Sequence, residues 1–400
     1  MTKIVYAWEL GSDLGHIGCI LPIATRLESR GIEMEFIIRD ISRAELLLGK
    51  RGFNFLPAPY FHNKAANHSA PPINYTDILF RYGYHEAGCL TGLLKAWLRL
   101  FAYSKPDLVI ADHSPTALLA ARIAGLPAAD FGTGFTFPPL QSPFPNMRPW
   151  IPLPKAKLEQ SDSAVLAVIN GALRNMGMDP LGAVSGIFAG LQERFLCTFP
   201  ELDHYPHRQG AHYRGALFTD QAGADLDWPD GGKYRIYAYL KASYPACKEI
   251  LSALSKIGHS TIVYCPDIPR DVFNSFNKRN IRISSDPIRL AGIAPRCDMA
   301  ITHAGHGTLA SMLLQGIPLL LLPTQLEQFL VASRVAALGA ALIATPDAKS
   351  MNYPALLDRL LTDSSFRHAA EGFQRRHGDF SVDRLQDRIA AEICALVGVP

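Results

Sequence analysis

Two successive runs of alternating apolar and helix-patterned segments, a polar break between them, and a length of 400 residues predict an α/β protein of two facing Rossmann-like domains with a cleft between them. Short apolar stretches followed by a 3.6-residue periodicity mark strand-helix units, and such units in series build a parallel sheet covered on both faces. The length is too great for one ordinary core and suits two of similar size.

In the first half, Ile4 to Trp8, Met34 to Ile38, Leu108 to Ala111 and Ala128 to Phe131 read as strands, with helices over 18–30, 42–50, 76–103 and 114–124. Residues 137–154, FPPLQSPFPNMRPWIPLP, carry too many large apolar groups for a disordered linker and predict an ordered loop. The Gly-, Asp- and Pro-containing stretch 219–232 separates the halves. Beyond it the rhythm restarts, with strands near 234–240, 260–264, 299–301, 317–322 and 341–344. The expected division is therefore 1–218, a linker 219–232, a second domain 233–380, and a final stretch 381–400 whose helix folds back across the boundary.

Composition narrows the function. A chain 48% hydrophobic and 19% charged fits a folded soluble protein, and a net charge of +3 with no basic run argues against nucleic acid as the main partner. Seven scattered cysteines, none in a Cys-x-x-Cys pair, point to free thiols in a reducing compartment and to no zinc framework. The opening MTKIVYAWEL reads as a strand rather than a signal peptide, and no segment has the length of a membrane span, so the expected location is cytoplasmic, with peripheral membrane contact left open.

The chemistry concentrates on strand-to-helix loops. In DMAITHAGHGTLASMLLQGIPLLLLPTQLEQ, residues 298–328, a short strand ends in a loop of small residues and two histidines, and a helix follows from near Thr308, which can cap it. Exposed amides and the positive dipole end of such a helix suit a diphosphate, and the glycines let it approach. After the next strand, Glu327 and Gln328 set a carboxylate beside an amide, a pair suited to sugar hydroxyls. Either half alone is better explained as plain turn and first-turn chemistry; together, at this spacing, they favour a ligand.

The first strand leads into GSDLGHIG, residues 11–18, whose glycine spacing does not match the dinucleotide fingerprint. It offers His16 as a general base. Asp112, after the strand LVIA, would project from the same sheet edge as the base's carboxylate partner; a helix cap is the equally weighted alternative. Aromatic residues gather at Phe80, Tyr82, Tyr84 and His85 and in GTGFTFPP at 132–139, which includes Gly134 and Phe135. They suggest a flat or apolar acceptor pocket, although core packing accounts for any single one of them.

With these residues in view, the chain resembles nucleotide-sugar-dependent glycosyltransferases of the GT-B fold, in the branch of plant UDP-glycosyltransferases and bacterial antibiotic glycosyltransferases. HAGHGTLASMLLQGIPLLLLPTQLEQ is similar to that family's donor signature, and GSDLGH with PDLVIAD looks more loosely like its base loop and supporting aspartate. The resemblance implies that His303 and the segment Gly305, His306, Gly307 and Thr308 hold the donor diphosphate, that Glu327 and Gln328 hold its sugar, and that His16 is the base with Asp112 as partner. Ser311 stands where many UDP-sugar users have a glutamate for the ribose hydroxyls, so a thymidine nucleotide becomes admissible beside a uridine one. YAYLKAS replaces a Gly-Ser loop, so that Lys241 would supply a charge unless it is an ordinary surface lysine.

The expected reaction is inverting transfer of a sugar to a hydroxyl of a small aromatic or apolar acceptor of secondary-metabolite type, with no cofactor and no metal beyond the nucleotide-sugar co-substrate. The Asp-x-Asp at Asp225 and Asp227 reads as solvated acids. A lipid-linked or cell-envelope acceptor, a nucleotide-sugar epimerase and a non-catalytic nucleotide-sugar-binding protein are the alternatives.

Overall fold

The computed structural model describes residues 2–11, 15–42, 44–61, 71–219, 223–345 and 351–399. Its strands in the first half are β1 (Lys3–Trp8), β2 (Glu33–Ile38), β3 (Asn54–Pro57), β4 (Leu108–Asp112), β5 (Ala128–Gly132) and β6 (Glu193–Leu196). All pair in parallel, in the order β3-β2-β1-β4-β5-β6. The interior strands are near-continuous apolar runs because helices cover both faces: Ile4 through Trp8 have no exposed surface.

The second half carries β7 (Gly232–Tyr239), β8 (His259–Tyr264), β9 (Ile281–Ser284), β10 (Met299–Thr302), β11 (Leu319–Leu321) and β12 (Ala341–Ile343), again parallel, in the order β12-β11-β10-β7-β8-β9. Each sheet reverses direction of growth once, between β1 and β4 in the first and between β7 and β10 in the second. Open α/β sheets bind ligands at the carboxyl ends of the strands flanking such a switch point.

Two differences from expectation have local causes. The helix expected over 76–103 is two, Tyr75–Arg81 and Ala87–Ser104, because Gly83 turns the chain at φ 97°. The proline-rich loop is ordered as expected: Phe144 and Met147 are buried, and their amides donate to Asp162 Oδ2 (3.0 Å) and the Ile73 carbonyl (2.8 Å). The helix after β10 spans His306–Leu314 with Gly305 as its N-cap and no side-chain cap bond, so Thr308 lies inside the first turn instead of capping it.

The chain divides into two compact units, one of Met1–Phe199, Tyr205–Gly215 and Asp383–Pro400, the other of Pro200–His204 and Ala216–Val382. The stretch expected as a linker is not a free separator. Ala224 bridges Ile288, Asp225 pairs with Arg289, and Arg282 donates to the Asp227 carbonyl (2.8 Å), which fastens it to the second unit; residues 220–222 lie outside the described set. The last helix, Val382–Leu396, falls almost wholly in the first unit, where Arg26 donates to Asp387 (2.6 Å) and Arg214 to Glu392 (2.7 Å). Among the described residues no helix is long and apolar enough to cross a membrane.

Candidate active site

In the first unit, β1 and β4 are neighbours in register, with Trp8 opposite Asp112, so the loops that follow leave the sheet side by side. His16 sits in the first turn of the helix Gly15–Glu28; Ser12, Asp13 and Leu14 of its loop lie outside the described residues. His16 Nδ1 is 2.9 Å from Asp112 Oδ2, and the Tyr6 hydroxyl donates to that same oxygen at 2.6 Å. Here the carboxylate oxygen accepts from both groups, with Nδ1 as the imidazole donor, which turns Nε2 away from Asp112. The Trp8 ring stacks on the imidazole at 4.9 Å, and Asp112 is buried while the His16 side chain keeps 15% of its surface. Gly11, at φ 90°, passes so close that a Cβ there would stand 2.8 Å from His16 Nε2. Arg39 Nη1 donates to the Gly11 carbonyl (3.1 Å) and fixes that pass.

Asp112 therefore orients an imidazole, and the helix Pro115–Ala124 is served by another group. Its N-cap Ser114 makes no side-chain cap bond; Glu9 accepts from the Thr116 amide (2.8 Å) and from Trp97 Nε1 (2.9 Å). Burial raises the Glu9 pKa to about 7 against those donors. Tyr6, Trp8, Arg39 and Glu9 escaped the motif search. The available signal was the polar handle on each: a buried Tyr hydroxyl must find a partner.

The aromatic candidates separate. Tyr84 is fully buried with its hydroxyl 3.0 Å from Thr116 Oγ1; it is a core residue and not a pocket wall, because no surface remains for an acceptor to touch. Phe80 is half-buried against His85, which also meets Phe61. Gly134 contributes its carbonyl, which accepts from Arg208 Nη2 (3.1 Å), and Phe135 sets its ring edge-on to His113 at 5.9 Å. Of the four, Phe135 is the one brought beside the His16 loop, since His113 lies 6.4 Å from His16.

In the second unit, His303 follows β10. Its Nδ1 donates to the Leu322 carbonyl (2.9 Å) and its Nε2 accepts from the Lys241 amide (2.9 Å). Both nitrogens of this buried ring are committed, so the expected contact of His303 with a diphosphate is corrected: the imidazole is a strut joining the ends of β7, β10 and β11. Lys241 enters this construction through its backbone, at the end of β7, and its side chain is half-buried. Ala304 is held at φ 56°, a strained conformation for a residue with a Cβ.

That strain delivers Gly305 to the helix start, exposed and with nothing within 4 Å of where a Cβ would stand. Gly307 is small for a different reason, because a Cβ there would press the Leu217 carbonyl and Phe218 at 3.2 Å. Thr308 is half-buried in the first turn. His306 opens the helix, and burial lowers its pKa to about 4 against the opposing charge of Asp203. After β11, Gln328 Oε1 accepts from the Thr324 amide (2.9 Å) and hydroxyl (3.0 Å), so its carbonyl oxygen braces the loop, and Glu327 beside it is half-buried. Asp225 accepts from Arg289 Nε at 2.7 Å, as a surface acid does.

Two doubly wound parallel sheets, a histidine-carboxylate pair at one switch point and an uncapped, glycine-opened helix start at the other have the architecture of the GT-B fold and the residues that a glycosyltransferase would use. Comparison with known proteins gives the same class. Residues 248–378 match the family model "Erythromycin biosynthesis protein CIII-like, C-terminal domain". Over 378 residues the chain is 24% identical to the PGL/p-HBAD biosynthesis rhamnosyltransferase of Mycobacterium bovis (strain BCG / Pasteur 1173P2), covering 89% of this chain and 80% of that protein. Among solved structures, the calicheamicin glycosyltransferase CalG4 superposes with a TM-score of 0.69 at 18% identity, over 99% of this chain and 98% of the other. The spinosyn rhamnosyltransferase SpnG complexed with thymidine diphosphate gives 0.63 at 17% identity, over 97% and 100%.

Proposed function

We propose that this glycosyltransferase, of the antibiotic and secondary-metabolite type, moves a sugar with inversion from a nucleoside-diphosphate sugar to the hydroxyl of a small aromatic or apolar acceptor. The observation that carries the proposal is the His16-Asp112 pair, 2.9 Å apart at the carboxyl edge of the first sheet. His16 takes the acceptor's proton as the oxygen attacks the anomeric carbon. Asp112 and the Tyr6 hydroxyl hold the ring and stabilise the imidazolium. The bond to the diphosphate breaks, and its charge is met by the amides and dipole at the Gly305–Thr308 helix start. The proposal needs no metal.

The donor contacts proposed are those that the resemblance to nucleotide-sugar-dependent glycosyltransferases implies. Glu327 and the amide nitrogen of Gln328 face the sugar hydroxyls, and Lys241 contributes charge near the phosphates. A thymidine nucleotide is the preferred donor: Ser311 is buried where, by the resemblance, a ribose-gripping carboxylate would stand, and the similar SpnG is complexed with thymidine diphosphate. Rhamnose is the first sugar to try, given the mycobacterial relative. The test is a thermal-shift screen of TDP, UDP and their sugars, followed by transfer assays on phenolic and lipid acceptors with and without EDTA. TDP raises the melting temperature by mass action, and EDTA leaves turnover unchanged. Absence of any nucleotide shift would overturn the proposal, and activity only with membranes or detergent would replace the small acceptor by a lipid-linked one.

A further inference from the structure

The loop that carries the base's partner holds a second imidazole to which the reaction above gives no task. His113 follows Asp112 directly, at φ 46°, a left-handed backbone seldom adopted by residues other than glycine. It is 5% exposed and lies among His16 (6.4 Å, ring planes 27° apart), Tyr75 (6.0 Å) and Phe135 (5.9 Å). Its Nε2 is buried without a hydrogen-bond partner. Its Nδ1 looks elsewhere: the place a Cβ of Gly11 would occupy is 3.5 Å from His113 Nδ1 and 2.8 Å from His16 Nε2. Two imidazole edges thus converge beside one glycine, itself pinned by Arg39.

Burial, with His16 and Arg39 nearby, lowers the His113 pKa to about 3, so the ring is neutral at working pH and carries one N–H. A proton on Nε2 would bury a donor with no acceptor; on Nδ1 it is directed to the side of Gly11 on which His16 Nε2 also lies.

Building on the glycosyl-transfer proposal, we propose that His113, as the neutral Nδ1–H tautomer, positions the acceptor hydroxyl for His16. The acceptor oxygen accepts a hydrogen bond from His113 Nδ1–H while its own proton points to His16 Nε2. On attack that proton passes to His16, the oxygen's electron pair forms the new bond to the anomeric carbon, and the old C–O pair leaves with the diphosphate. His113 keeps its proton throughout. The strained backbone at residue 113 is then what turns the ring into the site.

The test has two arms on the full chain. Histidine-ring nitrogen-15 NMR is expected to show His113 neutral at pH 5 with the proton on Nδ1; an Nε2–H tautomer, or protonation above pH 6, would overturn the proposal. The second arm uses TDP-rhamnose with the phenol 4-methylumbelliferone, or TDP release to water where that phenol is not taken. His113→Asn and His113→Asp both tolerate the left-handed backbone, but only asparagine keeps an N–H donor. Asp is expected to lower kcat/KM for the acceptor about tenfold or more, Asn by less than about threefold, with the TDP thermal shift unchanged in both. Wild-type kcat/KM in His113→Asp, or equal losses in the two variants, would overturn it. A His16→Ala control keeps the failures apart: unchanged turnover there removes the base proposal, whereas loss there with wild-type behaviour in His113→Asp removes this one alone.

Discussion

At His16, the hydrogen bond to Asp112 and the stacked Trp8 hold the ring plane, and the proposed general-base role rests on that hold. His16→Ala is expected to lower turnover by roughly 10²- to 10⁴-fold while the TDP-induced melting shift persists, since the donor loops belong to the other unit. Transfer assays with saturating donor check it. Glu9 offers a pH test. Its folded pKa, about 7, is above its unfolded value of 4.5. Between these values the unfolded chain has already released the proton, so this group's stability contribution is fully present below pH 4.5 and is lost as pH rises through 7. The size is on the order of 3 kcal/mol. His113 acts in the opposite sense, its depressed pKa favouring the fold as pH rises from about 3 to 6.5. In the overlap the two oppose one another. Glu9→Gln should therefore make stability climb more steeply from pH 5 to pH 7 than in the wild type, read from urea midpoints; an unchanged slope would show that Glu9 is already ionised in the folded protein.

Among elements, the ends of β7, β10 and β11 are tied together by one ring. His303→Ala removes two buried hydrogen bonds and leaves the Leu322 carbonyl and Lys241 amide to find other partners. We expect a loss of about 2–4 kcal/mol in the stability of the second unit together with weaker TDP binding. Weaker binding at wild-type melting temperature would instead restore direct contact with the phosphate. Gly307→Val should likewise displace the 217–218 backbone and lower the melting temperature, whereas Gly305→Ala, with open space around it, should leave the free protein as stable and affect only nucleotide affinity. The strands absent from the sequence analysis, β3, β6 and β9, are all at sheet edges. They are four residues each, and their exposed or charged positions interrupt the apolar run on which strand recognition depends. The switch-point strands, buried on both faces, were legible for the opposite reason.

For the molecule as a whole, the last helix is a component of the first unit, with Leu385, Ile389 and Ile393 buried and Glu392 paired to the buried Arg214. Deleting residues 381–400 should remove on the order of 5 kcal/mol of apolar burial, comparable to a domain's entire stability, and give insoluble or non-cooperatively melting protein. A soluble truncation with the wild-type melting temperature would refute this. By itself the sequence determined the two-sheet architecture and marked out the two glycine-bearing strand-to-helix loops and the acid-amide pair, because strand periodicity, glycine spacing and cap chemistry are local properties written within a few residues. The tertiary structure decided which groups serve these loops: that Asp112 turns to His16 while Glu9 serves the helix start, that His303 spends both nitrogens on backbone, that Tyr84 is core, and that His113 stands beside His16. Each of those depends on partners far apart in the chain, and a side chain's hydrogen-bonding capacity is finite, so its role is settled only when folding shows which partner has claimed it.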